Sequence, residues 1–169
     1  MTEGRSTGRR RHWQRVYSER SPADVSWYQS EPVLSLQFVR RSALSKHAPL
    51  IDVGGGASVL VDRLLAEGFT RVAVLDISAA ALEHARRRLG DAAERAEWHE
   101  ADVTDFQPPH PYVVWHDRAT FHFLTEPEDR ARYVDTLKRS LEVDGHAILA
   151  TFALGGPDRC SGLDIVQYD

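Results

Sequence analysis

Cysteine is almost missing: Cys160 stands alone in 169 residues. That excludes a disulfide within the chain and fits a reducing, cytoplasmic setting. No apolar run approaches the roughly 20 residues of a membrane-spanning helix, and the first residues have no signal-peptide core. The basic excess of a nucleic-acid binder is also missing, because 21 Lys and Arg face 25 Asp and Glu for a net charge of −4. Membrane and nucleic acid are therefore disfavoured as partners. Among the eight histidines, His110, His116 and His122 have neither the spacing nor the companion ligands of a metal centre, so no metal is expected. There is no internal repeat.

What remains is one domain, long enough to bury about 70 % of its unfolded surface. Residues 1–11 combine Gly, Ser, Thr and Arg without apolar periodicity and read as a disordered tail, leaving 12–169 as the folded unit. Arg9, Arg10 and Arg11 lack interleaved aromatics and are expected to be solvated.

The organising stretch is Leu50-Ile-Asp-Val-Gly-Gly-Gly-Ala-Ser58. A short apolar strand reaches Asp52 and breaks into three glycines. Behind them Val59, Leu60, Leu64 and Leu65 recur at helical spacing before Gly68. Arg71-Val-Ala-Val-Leu-Asp76 then repeats a strand ending on an acid. This is the nucleotide-binding half of a doubly wound, Rossmann-like sheet.

A dinucleotide would need a third glycine where Val59 stands, and Asp52 would repel a pyrophosphate beside Gly54 and Gly56. The same carboxylate suits a ligand carrying a cation there, as the methionine part of S-adenosylmethionine does. Asp76 is placed to accept both ribose hydroxyls. Asp52-Val-Gly54-Gly-Gly56-Ala-Ser58 with Asp76 resembles the first two motifs of the class I S-adenosylmethionine-dependent methyltransferases, and the resemblance runs from about Trp13 to Phe152. It implies an α/β fold with a mainly parallel sheet in the order 3-2-1-4-5, S-adenosylmethionine as cofactor, and cofactor contacts at Asp52, Gly54, Gly56, Asp76 and Ile77. It further implies that Asp102 and Val103, after a third strand at Glu97–Val103, flank the adenine.

Trp13, Tyr17, Trp27 and Tyr28 precede the first strand. They either pack a short helix onto the sheet or close over the cofactor, offering the sulfonium aromatic faces. The family has a similar aromatic lid. Ser30-Glu-Pro32 opens a helix with an apolar stripe through Lys46. Ser78 caps the helix after Asp76, and Gly90 ends it. The link Thr104–Pro111 must cross roughly 14 Å of sheet, within the roughly 26 Å that such a length can span.

The fourth strand, Tyr112–His116, leads into Asp117-Arg118-Ala119-Thr120-Phe121-His122. Members that methylate adenine amines or glutamine amides have an Asn/Asp-Pro-Pro-Tyr/Phe tetrad here, whereas this chain has His-Asp-Arg-Ala. That departure argues against those substrates. His116, Asp117 and His122 are candidate general bases, with His116 also a candidate cofactor contact. Asp117 with Arg118 can equally form a structural ion pair, and His122 can be a lining residue or a satisfied buried histidine. Thr125-Glu-Pro127-Glu128 reads as a capping box, its helix ends near Gly145, and His146–Phe152 is the fifth strand. The glycine turn there also resembles the family.

Ala153–Asp169 is too short for the family's final helix and strand pair. The fifth strand is therefore expected to be a sheet edge open to homodimer pairing, unless the tail folds over the site as a substrate loop. The reading is a methyltransferase acting on a small molecule or a protein side chain. Its rivals are a non-catalytic, truncated cofactor-binding module and an NAD-dependent oxidoreductase, the latter disfavoured by Val59 and Asp52.

Overall fold

The structure is a computed structural model and describes residues 2–169. Five strands form the main sheet: β1 (Leu50–Val53), β2 (Val72–Asp76), β3 (Ala96–Glu100), β4 (Tyr112–Arg118) and β5 (Leu141–Ala150). Their order is β3-β2-β1-β4-β5, and every pairing is parallel. The helices are α1 (Thr2–Glu19), α2 (Val33–Ser42), α3 (Leu60–Ala66), α4 (Ala79–Leu89) and α5 (Pro127–Ser140). A two-residue antiparallel pair, β6 (Arg159–Cys160) and β7 (Leu163–Asp164), lies outside the main sheet.

Side-chain alternation along the strands builds two separate cores. Leu50, Val72, Val74 and Val114 pack with Leu36 and Val39 of α2, Leu60 and Leu64 of α3 and Leu82 of α4. Ile51, Val53, Leu75, Tyr112 and Trp115 pack on the opposite face with Tyr133 of α5. The same parity decides where polar residues go. Asp52, Asp76, His116 and Arg118 share the first face, and Asp117 shares the second with Trp115.

Several boundaries differ from the sequence reading. Residues 2–11, expected as a disordered tail, form the first half of α1. Their arginines are satisfied by distant acids: Arg9 reaches Asp102 and Asp129, and Arg10 reaches Glu100. Local composition carries no trace of such partners. Helix α2 stops at Ser42, with Ala43 extended and Leu44 90 % exposed, short of Lys46. The capping box at Thr125 does not form; Glu126 is the N-cap with no side-chain bond, and Pro127 occupies the first turn. Strand β3 ends at Glu100, which leaves Asp102 on the following loop. Strand β5 begins at Leu141 instead of His146, because Leu141 already pairs with Tyr112 across a bulge.

Strand β5 is an edge, with Val143 and Leu149 exposed. The segment after it turns back over the loop beyond β4. Val166 N donates to the His122 carbonyl (2.9 Å), Tyr168 N to the Phe152 carbonyl (2.9 Å), and the Tyr168 ring stacks on Phe121. No helix among the described residues is long and apolar enough to cross a membrane.

Candidate active site

The carboxyl ends of β1, β2 and β4 open into a cleft of about 1170 Å³, counted to its open mouth. Such crevices at the ends of parallel strands are where doubly wound sheets bind ligands. Its floor is the glycine turn. Gly54 has φ 68°, and a Cβ there would collide with the Thr120 side chain. A Cβ on Gly56 would stand 2.5 Å from an Asp76 oxygen. Only glycine lets the backbone lie this close to both neighbours.

Asp52 is 3 % exposed and held by an unforeseen arrangement. His116 Nδ1 donates to Asp52 Oδ1 (2.7 Å), since a carboxylate only accepts. In the neutral ring, Nε2 then accepts from the Ser35 hydroxyl (2.9 Å). Ser35 is presented by α2, whose packing on this face of the sheet brings it to β4. The second oxygen, Asp52 Oδ2, is buried without a partner among the described residues. A buried, unpartnered carboxylate oxygen is costly unless a donor arrives.

Asp76 accepts from the Ser78 amide (2.8 Å) and the Gly56 amide (3.1 Å). Burial nonetheless raises its pKa to about 6, only partly offset by those amides. Each of its oxygens keeps a lone pair for a ligand. Asp102 is different. Thr104 donates to Oδ1 through its amide (2.9 Å) and hydroxyl (2.8 Å), and Arg9 donates to Oδ2 (2.8 Å). Burial alone would raise its pKa, but hydrogen bonds from Ser6, Thr104 and Arg9 outweigh that and hold it low. Four donors fill the roughly four lone-pair sites of a carboxylate. Asp102 therefore lines the cleft with its acceptor capacity already taken. Arg9 is anchored at its other side by Asp129 (2.6 Å).

The aromatics of α1 and the following loop gather over this floor. Trp13, Tyr17, Trp27 and Tyr28 all line the cleft. Trp27 Nε1 donates to the Tyr17 hydroxyl (3.1 Å), and Trp13 meets Trp27 and Phe123 edge-on. Burial and nearby Asp76 push the Tyr17 phenol well up, so it stays protonated. Gln14 of α1 ties this lid to α4, accepting from the Ser78 hydroxyl and the Ala80 amide (both 3.1 Å). Ile77, Val103 and Cys160 complete the lining used here. Cys160 belongs to the tail that folds back, so part of that tail does reach the site.

The three candidate bases fare unequally. His116 lines the cleft but is 2 % exposed, with both ring nitrogens engaged. Asp117 faces away, as strand parity requires, and is fully buried. Tyr133 donates to its Oδ2 (2.6 Å) and the Thr120 amide to its Oδ1 (2.8 Å). It shapes the loop and does not line the cleft. The Asp117–Arg118 ion pair is not formed either, because adjacent strand residues point to opposite faces. Arg118 instead donates to the Trp27 carbonyl (3.1 Å). His122 is fully buried against Phe123 and Phe152, outside the cleft lining. Both its ring nitrogens lack partners among the described residues, and burial lowers its pKa to about 4. No cluster of His, Cys, Asp or Glu among the described residues is arranged to hold a metal.

Residues 50–145, more than half of the chain, match the methyltransferase domain family model. This chain belongs to the class I S-adenosylmethionine-dependent methyltransferases. None of the curated proteins matches it. Among solved structures it is similar to the glycopeptide N-methyltransferase MtfA, with TM-score 0.65 and 18 % identity over 78 % of this chain and 57 % of that one. It is also similar to the sugar N-methyltransferase KedS8 from Streptoalloteichus sp ATCC 53650, with TM-score 0.61 and 23 % identity over 75 % and 51 %. The N-methyltransferase NodS from Bradyrhizobium japonicum WM9, in complex with S-adenosyl-L-homocysteine, gives TM-score 0.65 and 18 % identity over 80 % and 68 %. At these identities the likeness is one of fold. The methyltransferase domain thus spans just over half the length of the first two. MtfA has also been crystallised with S-adenosyl-L-methionine.

Ser35, Arg9, Gln14 and Cys160 were not foreseen at this site. Only Cys160 carried a signal, as one residue of the tail that was a candidate substrate loop.

Proposed function

We propose that this methyltransferase domain moves a methyl group from S-adenosylmethionine to a nucleophile on a small molecule. The observation that carries the proposal is Asp52: a buried carboxylate with one oxygen unpartnered, which lines the open cleft together with Gly54 and Gly55 of the glycine turn. An ammonium is the donor that such an oxygen lacks. Asp76 is suited to the ribose diol, Ile77 and Val103 to the purine faces, and the Trp13–Tyr17–Trp27 cluster to the sulfonium. When bound, the cofactor supplies an electrophilic methyl group on a cationic sulfur. The chain's own contribution is to orient the reactants and to exclude water.

His116 is bound at both nitrogens, and Asp117 and His122 lie outside the cleft lining. We infer that the acceptor presents a lone pair without help from a protein base, as a neutral amine or a thioether does. The printed names of MtfA, KedS8 and NodS, each an N-methyltransferase, favour an amine. The rival non-catalytic module would bind the cofactor and turn nothing over.

The deciding experiment is a thermal-shift titration of the protein with S-adenosylhomocysteine and with NAD, followed by transfer of labelled methyl from S-adenosylmethionine to a panel of amines. Stabilisation by S-adenosylhomocysteine and not by NAD is expected, with transfer to at least one amine class. Lack of stabilisation by S-adenosylhomocysteine would sink the proposal.

A further inference from the structure

The cleft contains two arginines, and they are used very differently. Arg9 is neutralised twice, by Asp102 (2.8 Å) and Asp129 (2.6 Å). Arg118, at the end of β4, is half-buried and also lines the cleft. Among the described residues its guanidinium makes a single hydrogen bond, to the Trp27 carbonyl (3.1 Å), and no ion pair. A guanidinium has five N–H donors in a planar fork, so most of its capacity is unused. A half-buried cation without a counter-charge is unfavourable until an anion arrives.

The neighbours of Arg118 decide which part of the cleft that anion occupies. The Trp27 indole donates to the Tyr17 hydroxyl (3.1 Å), and Arg118 and Cys160 both lie near enough to influence that hydroxyl electrostatically. The Tyr17 oxygen accepts from Trp27, and its own proton has no acceptor among the described residues. Arg118 and Tyr17 thus bring two donors, one charged and one neutral, to one place. Tyr17 and Trp27 belong to the lid and Cys160 to the tail, so this place is on the lid side of the cleft and not on its glycine floor. In the reading above, the same aromatic cluster faces the sulfonium. A methyl acceptor approaches that sulfonium from outside the cofactor, so the rest of the acceptor falls among these residues.

We propose that Arg118 and Tyr17 form the anion-binding half of the acceptor site, and that the acceptor is a small amine bearing a carboxylate. This rests on the S-adenosylmethionine reading above and names its substrate class. A guanidinium and a planar carboxylate pair bidentately, which adds direction as well as charge. A phosphate dianion fits less well, because Asp52 and Asp76 line the same cleft and repel its second charge. The amine lone pair forms the new N–C bond as the S–C bond breaks with its electron pair left on sulfur, and the surplus N–H proton goes to water.

The test is transfer of labelled methyl to matched amines, β-alanine against ethylamine and aminomethylbenzoate against benzylamine. The readout is the ratio of kcat/KM within each pair for the wild type, Arg118→Met, Arg118→Lys and Tyr17→Phe, with the Kd for S-adenosylhomocysteine measured alongside. The wild type is expected to prefer the carboxylate member of at least one pair. Arg118→Met should reduce that preference about 10- to 100-fold, the span for losing hydrogen bonds to a charged group, and Tyr17→Phe roughly fivefold. Arg118→Lys keeps a point charge and loses the fork, so its loss falls between; it also serves if the methionine variant does not fold. A wild type without the preference overturns the proposal. So does an equal loss for both members of a pair, which makes Arg118 a prop for Trp27. A loss of S-adenosylhomocysteine affinity as large as the loss of preference overturns it as well and assigns Arg118 to the cofactor. If no amine is methylated, calorimetric binding of the two acids to the protein loaded with S-adenosylhomocysteine replaces the ratio, and failure to bind either overturns the proposal. A wild-type protein that does not bind S-adenosylhomocysteine refutes the cofactor reading itself, a result distinct from failure at Arg118.

Discussion

His116 Nδ1 stands 2.7 Å from Asp52 Oδ1, and its Nε2 stands 2.9 Å from the Ser35 hydroxyl. The resulting Ser-His-Asp chain has the order of a hydrolytic triad, yet its ends are reversed in use. The serine, at 5 % exposure, is the buried anchor, and the carboxylate is the end with an oxygen to spare. The histidine therefore orients Asp52 and does not activate Ser35.

That role predicts a selective loss. His116→Ala leaves both Asp52 oxygens undirected and is expected to weaken S-adenosylhomocysteine binding about tenfold, the worth of one charge-assisted bond. Affinity for 5′-methylthioadenosine, which does not reach Asp52, should hold. His116→Asn, which can still donate near the former Nδ1, should recover most of the loss. A variant in which both probes weaken together would mark His116 as merely structural.

Asp76 predicts opposite pH trends for binding and stability. Burial raises its pKa to about 6, above the roughly 3.9 of an unfolded aspartate. The folded state therefore holds this proton more tightly, so its contribution to stability grows as pH falls through 6 and levels off near 4. The ionised carboxylate is the stronger acceptor for two hydroxyls, so S-adenosylhomocysteine affinity should decline over the same range. Asp76→Asn removes the titration, and the difference between the two proteins in melting temperature and in Kd from pH 5 to 8 isolates it. A wild-type affinity that is flat across that range, with Asp76→Asn no weaker, would remove Asp76 from the ribose site.

How far this site could be read in advance follows from the range of the interactions involved. Asp52, Gly54 and Asp76 were legible because a strand, a glycine turn and a second strand lie within one short stretch, and each places its acid by local geometry. The sheet order β3-β2-β1-β4-β5 came with the family resemblance and not from any local stretch, and the sequence left the aromatics before β1 with two roles open. Ser35 was not legible, because it meets His116 across 81 residues and is an unremarkable serine on an apolar helix. Arg9 was misread as tail for the same reason; Asp102 is 93 residues away and Asp129 is 120. Asp117 is a different kind of miss. Strand parity alone separates it from His116 and aligns it with Trp115, so its exclusion from the cleft was present in the alternation.

Asp117 predicts a stability effect without a binding effect. Tyr133 donates to it across 2.6 Å and accepts from Trp115 Nε1 (2.9 Å), all in a dry core. Tyr133→Phe leaves both Asp117 and Trp115 short of a partner. A loss of about 1–3 kcal/mol is expected from such unsatisfied buried groups, read as a lowered denaturant midpoint. S-adenosylhomocysteine affinity at a temperature where the variant is folded should match the wild type. A large loss of affinity instead would place this network in the binding machinery.

Arg9 predicts two effects of opposite sign from a single substitution. It links α1 to the loop after β3 through Asp102 and to α5 through Asp129, with its own side chain only 17 % exposed. Removing one partner from a largely buried pair leaves uncompensated charge, and Arg9→Ala should destabilise the fold by about 1–3 kcal/mol, below the full penalty for a wholly buried pair. The same change frees Asp102 Oδ2, the oxygen that an adenine amine would have to share with the guanidinium. Removal of a competitor worth about 1 kcal/mol tightens binding roughly fivefold. The pair of measurements is a denaturant melt of the free protein and a calorimetric Kd for 5′-methylthioadenosine. Lower stability together with tighter nucleotide binding identifies Arg9 as a competitor for the adenine acceptor. Lower stability with weaker binding identifies the Arg9-bound lid as part of the nucleotide site, and Asp102 then has no role with the adenine amine.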